Sequence, residues 1–83
     1  MQFFVYILYS ESKDRYYIGS CGDINIRLNQ HNTGRNTSTK SGVPWQIVYT
    51  EEVDTQQQAR KRELEIKKKK SRKYVEQLIG SAG

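Results

Sequence analysis

FFVYILYSESKDRYYIGS, residues 3–20, holds two dense runs of β-branched and aromatic side chains around a polar turn. Residues 3–9 (FFVYILY) carry no charge and read as a strand buried on both faces. Residues 10–14 are turn-like, and residues 15–20 (RYYIGS) read as a second strand, so the pair forms a β-hairpin with a longer loop. Tyr6 and Tyr17 each lie mid-strand. They share a sheet face only if the register pairs even-numbered residues with odd ones. Gly22 breaks the second strand, and Asp23 is a good helix N-cap. Ile24, Leu28 and His31 then fall at i, i+4 and i+7, the stripe of a short amphipathic helix that Asn32-Thr33-Gly34 stops.

Further along, residues 35–42 make a polar loop closed by Pro44, and residues 45–51 (WQIVYTE) read as a third strand. Asp54 and Gln57 have the spacing of a capping box, opening a helix that runs to about Lys70. Ser71 caps a last helix that buries Val75, Leu78 and Ile79. Gly80 ends it, leaving residues 81–83 as a frayed tail. The order is β-β-α-β-α-α, an α+β fold in one domain over residues 1–80.

The chain has 83 residues, of which 35% are hydrophobic. One small core is all that such a chain builds, which rules out a large cofactor buried at its centre. No apolar run approaches the ~20 residues that span a bilayer, and residues 3–9 lack the flanks of a secretory signal. Cys21 is the single cysteine, has no internal disulfide partner, and fits a reducing cytoplasm. Net charge is +5, concentrated so that residues 60–73 carry +7 and the remainder −2. Basic clusters separated by carboxylates favour a polyanion partner, nucleic acid before a membrane surface, because the flanking apolar stripe is too thin for an interfacial helix. A solvated helix face is the plainer reading of any one lysine run.

Several chemistries close quickly. One His and one Cys cannot assemble the usual zinc set. Residues 34–41 (GRNTSTKS) imitate a phosphate loop, but Thr39 replaces the glycine before the lysine and no strand precedes them. No Gly-x-Ser-x-Gly elbow exists. More informative is Glu63: Ala59, Glu63 and Ile66 share a helical stripe that faces inward, where an ionised carboxylate needs a partner or a cation. Lys67, one turn on, could supply a structural ion pair. Arg27 lies four residues before His31, which makes them neighbours on the first helix.

In order and spacing these residues resemble the GIY-YIG nuclease family over nearly the whole chain. Phe4-Val5-Tyr6 stands at the first tripeptide, and Tyr17-Ile18-Gly19 is the second, intact. Ile24, Arg27, Leu28 and His31 resemble the helix bearing the family's arginine, and Trp45–Tyr49 the third strand. Ala59, Glu63, Ile66 and Lys67 resemble the helix bearing its glutamate. The small stand-alone members are the most similar. Phe4 replaces the first glycine, Ser20 and Cys21 stand where some relatives carry a lysine, and the late asparagine of several members has no counterpart.

The resemblance implies a small three-stranded antiparallel sheet flanked by helices, with the site on one sheet face. It implies an endonuclease hydrolysing phosphodiester bonds by in-line attack of water, on DNA rather than RNA, in DNA repair or processing. One Mg²⁺ or Mn²⁺ would sit on Glu63, a hard oxygen ligand. Arg27 would offset charge on the phosphate oxygens, Tyr17 would take the proton from water, Tyr6 would orient that network, and His31 would join it through a hydrogen bond or a phosphate contact. Arg35 and Lys40 of the polar loop, with Arg60, Lys61, Lys67, Lys68 and Lys70, would hold the nucleic-acid backbone with weak sequence preference. Cutting both strands calls for a homodimer or a partner protein. The rivals are a catalytically inactive nucleic-acid-binding module on the same scaffold and an adaptor whose basic helix docks an acidic protein.

Overall fold

A computed structural model of the chain describes residues 2–35 and 39–82. Residues 36–38 of the polar loop lie outside the described residues. Along the chain come β1 (Phe3–Ser10), β2 (Arg15–Cys21), α1 (Ile24–Asn32), a short 3-10 turn (Lys40–Gly42), β3 (Trp45–Val53), α2 (Gln56–Lys69) and α3 (Arg72–Ala82). The fold is α+β in the order β-β-α-β-α-α. The three strands form one antiparallel sheet ordered β2-β1-β3. β1 takes the centre because its side chains are apolar on both faces, and only a central strand can bury both.

Register decides what each face carries. Tyr6 pairs with Gly19 and Leu8 with Tyr17, so even residues of β1 face odd residues of β2. The condition for Tyr6 and Tyr17 to share a face is therefore met. On β3 a bulge interrupts the ladder, since Ile7 pairs with Tyr49 but Leu8 with Ile47. The extra residue lets Val48 and Tyr49 both reach one core while Ile47 and Trp45 join the other. The first face gathers Phe4, Tyr6, Leu8, Tyr17 and Trp45 under Ile24 and Leu28 of α1. The second gathers Val5, Ile7 and Ile18 under Ala59 and Ile66 of α2 and Val75, Leu78 and Ile79 of α3.

The helix ends follow local chemistry, with two differences from expectation. Asp23 caps α1 by accepting from the Ile26 N–H at 3.0 Å, and Gly34 follows the helix at φ +77°. α2 is capped by Thr55, not Asp54: Thr55 Oγ1 accepts from the Gln58 N–H, and Gln58 Oε1 accepts from the Asp54 N–H, both at 3.1 Å. β3 runs two residues further than expected, to Val53, which leaves Asp54 in the connection and moves the box one residue on. Ser71 Oγ accepts from the Tyr74 N–H at 3.1 Å and opens α3. Gly80 does not end α3, which continues to Ala82. No left-handed turn is imposed at Gly80, and Ser81 Oγ donates back to the Leu78 carbonyl at 2.9 Å. Among the described residues no helix is long and apolar enough to cross a membrane.

Candidate active site

The first sheet face ends in a cluster of rings. Tyr6 and His31 are almost wholly buried, and Tyr6 Oη lies 3.1 Å from His31 Nε2. On its other side His31 Nδ1 lies 2.8 Å from Thr39 Oγ1, so both ring nitrogens are engaged. Thr39 is held in turn, its carbonyl accepting from Trp45 Nε1 at 2.7 Å. The Tyr17 ring is half-buried, with its centroid 5.0 Å from that of His31, 6.5 Å from Tyr6 and 6.2 Å from Trp45. Gly19 is what lets the cluster close. A side chain there would collide with the Tyr6 phenol lying across the strand, so the glycine is required by close approach, not by an unusual φ.

Burial sets the protonation of this cluster. It pushes the Tyr6 phenol well above its usual range, reinforced by Tyr17 and opposed by the Arg27 charge. Burial likewise draws His31 down, and Arg27 adds to the effect. At neutral pH the imidazole is uncharged and Tyr6 keeps its proton.

Where β2 ends, alternate side chains turn to opposite faces, and α1 and α2 come within reach of each other. A cleft of about 480 Å³ opens there, lined by Ser20, Cys21, Arg27, Arg60 and Glu63. Arg27 reaches it from α1 and Glu63 from α2. The Glu63 carboxylate is fixed on both oxygens: Ser20 Oγ donates to Oε1 at 2.7 Å, and Lys67 Nζ lies 2.5 Å from Oε2. Its side chain stays 19% exposed, open enough for the cleft to reach it. Both Arg27 and Glu63 are close enough to bear electrostatically on the Tyr6 phenol. Tyr6 is thus the link between the two groups: Tyr17 and His31 pack around its ring, while the charges of Arg27 and Glu63 reach it from the cleft.

The cations divide. Arg62 is engaged by Glu51 at 3.0 Å and Glu65 at 3.3 Å, and Arg72 by Asp14 at 2.7 Å and Glu76 at 3.3 Å. Lys69 lies over the Tyr74 ring. Arg60, Lys61, Lys68 and Lys70 are exposed and make no ion pair among the described residues. Arg35 follows α1 and Lys40 opens the 3-10 turn, apart in sequence from the basic residues of α2. Two further residues of the site carry little signal in sequence. Ser20 stands out there only as the occupant of a position where some relatives have lysine. Thr39, inside a polar loop, has no signal at all.

Among the described residues no three His, Cys, Asp or Glu side chains gather as a metal site. Glu63 with the Ser20 hydroxyl nonetheless offers hard oxygen donors in an open cleft, which suits a Mg²⁺- or Mn²⁺-type ion that keeps most of its waters. A family model described as the GIY-YIG catalytic domain matches residues 2–75. UPF0213 proteins of Staphylococcus aureus strains Mu3 and Mu50 are 42% identical over 65 residues, covering 77% of this chain and 78% of theirs. The solution NMR structure of a UPF0213 protein from Bacillus halodurans is 30% identical, with a TM-score of 0.62, over all of this chain and 87% of that one.

Proposed function

Because the chain belongs to the GIY-YIG catalytic-domain family, a nuclease family, we propose that it is a divalent-metal-dependent endonuclease acting on DNA. The observation that carries this reading is the shared cleft: Arg27 and Glu63, from helices on opposite sheet faces, line it together, and the charges of both reach Tyr6 of the ring cluster.

In this mechanism Tyr17 takes the proton from the attacking water. Tyr6 is excluded from that part by the burial that keeps it protonated, and it serves as a hydrogen-bond partner instead. Neutral His31 links Tyr6 to Thr39 and holds the ring cluster in place. Arg27 offsets charge building on the non-bridging phosphate oxygens. Glu63 would hold one Mg²⁺ or Mn²⁺, steadied by Ser20; when bound, that ion supplies Lewis-acid stabilisation of the phosphate and the departing 3′ oxygen. Arg60, Lys61, Lys67, Lys68 and Lys70 position the nucleic-acid backbone on one side and Arg35 and Lys40 on the other. Backbone contacts confer weak sequence preference and steep salt dependence. The unit is a single domain that runs through α3, works in the cytoplasm in DNA repair or processing, and needs a second copy or a partner to cut both strands.

The Glu63–Lys67 ion pair favours a second reading, in which the carboxylate is already satisfied and the chain only binds nucleic acid. Plasmid nicking with Mg²⁺ or Mn²⁺ separates the two. Nicking by wild type, lost in Glu63→Ala and Tyr17→Phe, supports the nuclease. Salt-sensitive binding without nicking supports the binding module, and equal nicking by all three proteins marks a contaminant.

A further inference from the structure

The cleft at Glu63 continues along the molecule. One turn further on α2 and two steps back on β2, a second cavity of about 370 Å³ opens over Tyr16 and Ile18, rimmed by Arg15, Lys67, Lys70 and Arg72. Tyr16, Ile18 and Ser20 alternate onto the same face of β2, which is an edge strand. The two cavities, which share no lining residue, follow one another along the groove between β2 and α2. Lys67 rims the second cavity and is paired with Glu63, which lines the first.

The rim is built for an anion. Its four cations face one acid on the rim, Asp14, which pairs with Arg72 at 2.7 Å, while Glu76 and Glu63 hold Arg72 and Lys67 from outside it. Arg15 and Lys70 are exposed and make no ion pair among the described residues. Lys70 moreover ends α2 at φ +46°, a left-handed position where glycine is less strained than any lysine. Arg15 and Lys70, unpaired beside an apolar floor of Tyr16, Ile18, Ile66 and Val75, suit a phosphate backbone, whose sugars can lie on that floor while its charges meet the rim.

We infer that a nucleic-acid strand with its scissile phosphate at the Glu63 cleft runs on along this groove, its backbone held by Arg15, Lys67, Lys70 and Arg72. The inference rests on the nuclease reading. From Ser20 to Tyr16 the strand rises ~14 Å at ~3.4 Å per residue.

Fluorescence anisotropy with a labelled 20-base-pair duplex in EDTA, titrated with salt, tests this on the intact chain. Arg15→Gln combined with Lys70→Gly removes two cations, and the glycine relieves the left-handed backbone, so the fold is kept. The slope of log K against log salt is expected to fall by about 1.8, about 0.9 for each phosphate no longer neutralised. Lys73→Gln, on exposed α3 outside the groove, is expected to leave it unchanged. An equal fall for Lys73→Gln overturns the groove in favour of a diffuse patch. An unchanged slope in the double variant, while Arg27→Gln weakens binding, overturns the groove and leaves the nuclease reading standing. Wild type that binds no duplex at low salt overturns both.

Discussion

Gly19→Ala tests the physical reason for the intact second tripeptide. An ideal Cβ at Gly19 would lie 2.6 Å from Tyr6 Cζ and 3.1 Å from Cε1, and still closer to Oη. Carbon atoms rest at ~3.5–4.0 Å, so the ring must retreat by about 1 Å. Tyr6 is only 2% exposed and has nowhere to go without disturbing its neighbours. Overpacking of this kind costs ~1–3 kcal/mol, and loss of the Tyr6–His31 hydrogen bond inside the core adds ~1–3 kcal/mol. We expect a total of ~2–6 kcal/mol, against a stability of ~4–12 kcal/mol for a domain of this size. Tm should drop by at least ~8 °C, at ~4–8 °C per kcal/mol. Urea titration followed by circular dichroism measures the loss, and His31 imidazole resonances report whether the ring cluster has shifted. Gly80→Ala is the control of opposite sign. Nothing lies within 4 Å of a Cβ there and the position is helical, so it should stabilise by ~0.5–1 kcal/mol. A Gly19→Ala protein within ~0.5 kcal/mol of wild type, with His31 resonances in place, would refute the close-approach argument.

Two further outcomes follow from the site. His31 sits below its ordinary 6.5 because burial, then Arg27, disfavours the charged ring. The unfolded chain therefore binds the extra proton, and this contribution to stability is complete above about pH 6.5 and is lost as pH falls from there through the folded value. Urea midpoints at pH 7.5 and 5.5 should show a larger drop for wild type than for His31→Gln; equal drops place the dependence elsewhere. Lys67→Met removes the cation now on Glu63, so Mn²⁺ binding followed by electron paramagnetic resonance should tighten roughly 2–5-fold, the worth of a partly exposed ion pair. Unchanged or weaker Mn²⁺ binding would mean that Lys67 does not compete for that carboxylate.

Much of the scaffold is legible in the residues themselves. The two apolar runs flanking residues 10–14, the i, i+4, i+7 stripe through Ile24, Leu28 and His31, and the caps at Asp23 and Ser71 all depend on neighbours a few positions away. The same locality explains the misses. Asp54 and Thr55 are both good caps, each followed three residues later by a glutamine, and only the end of β3 at Val53 selects Thr55. Gly80 reads as a stop, yet stops a helix only where the chain turns left-handed. Lys70 reads as one more lysine of a run, although it is the residue that does turn left-handed.

The sequence alone thus settled the element order, the inward position of Glu63 on its helix and the cationic bias of residues 60–73, because periodicity and composition are properties of the chain. The meeting of Arg27 with Glu63, the face shared by Tyr6 and Tyr17, and the grip of Thr39 on His31 belong to the tertiary structure. A one-residue slip of the hairpin would leave every local pattern intact while turning Tyr17 to the other face. Register and the packing of α1 and α2 around the end of β2 are therefore what assemble the site.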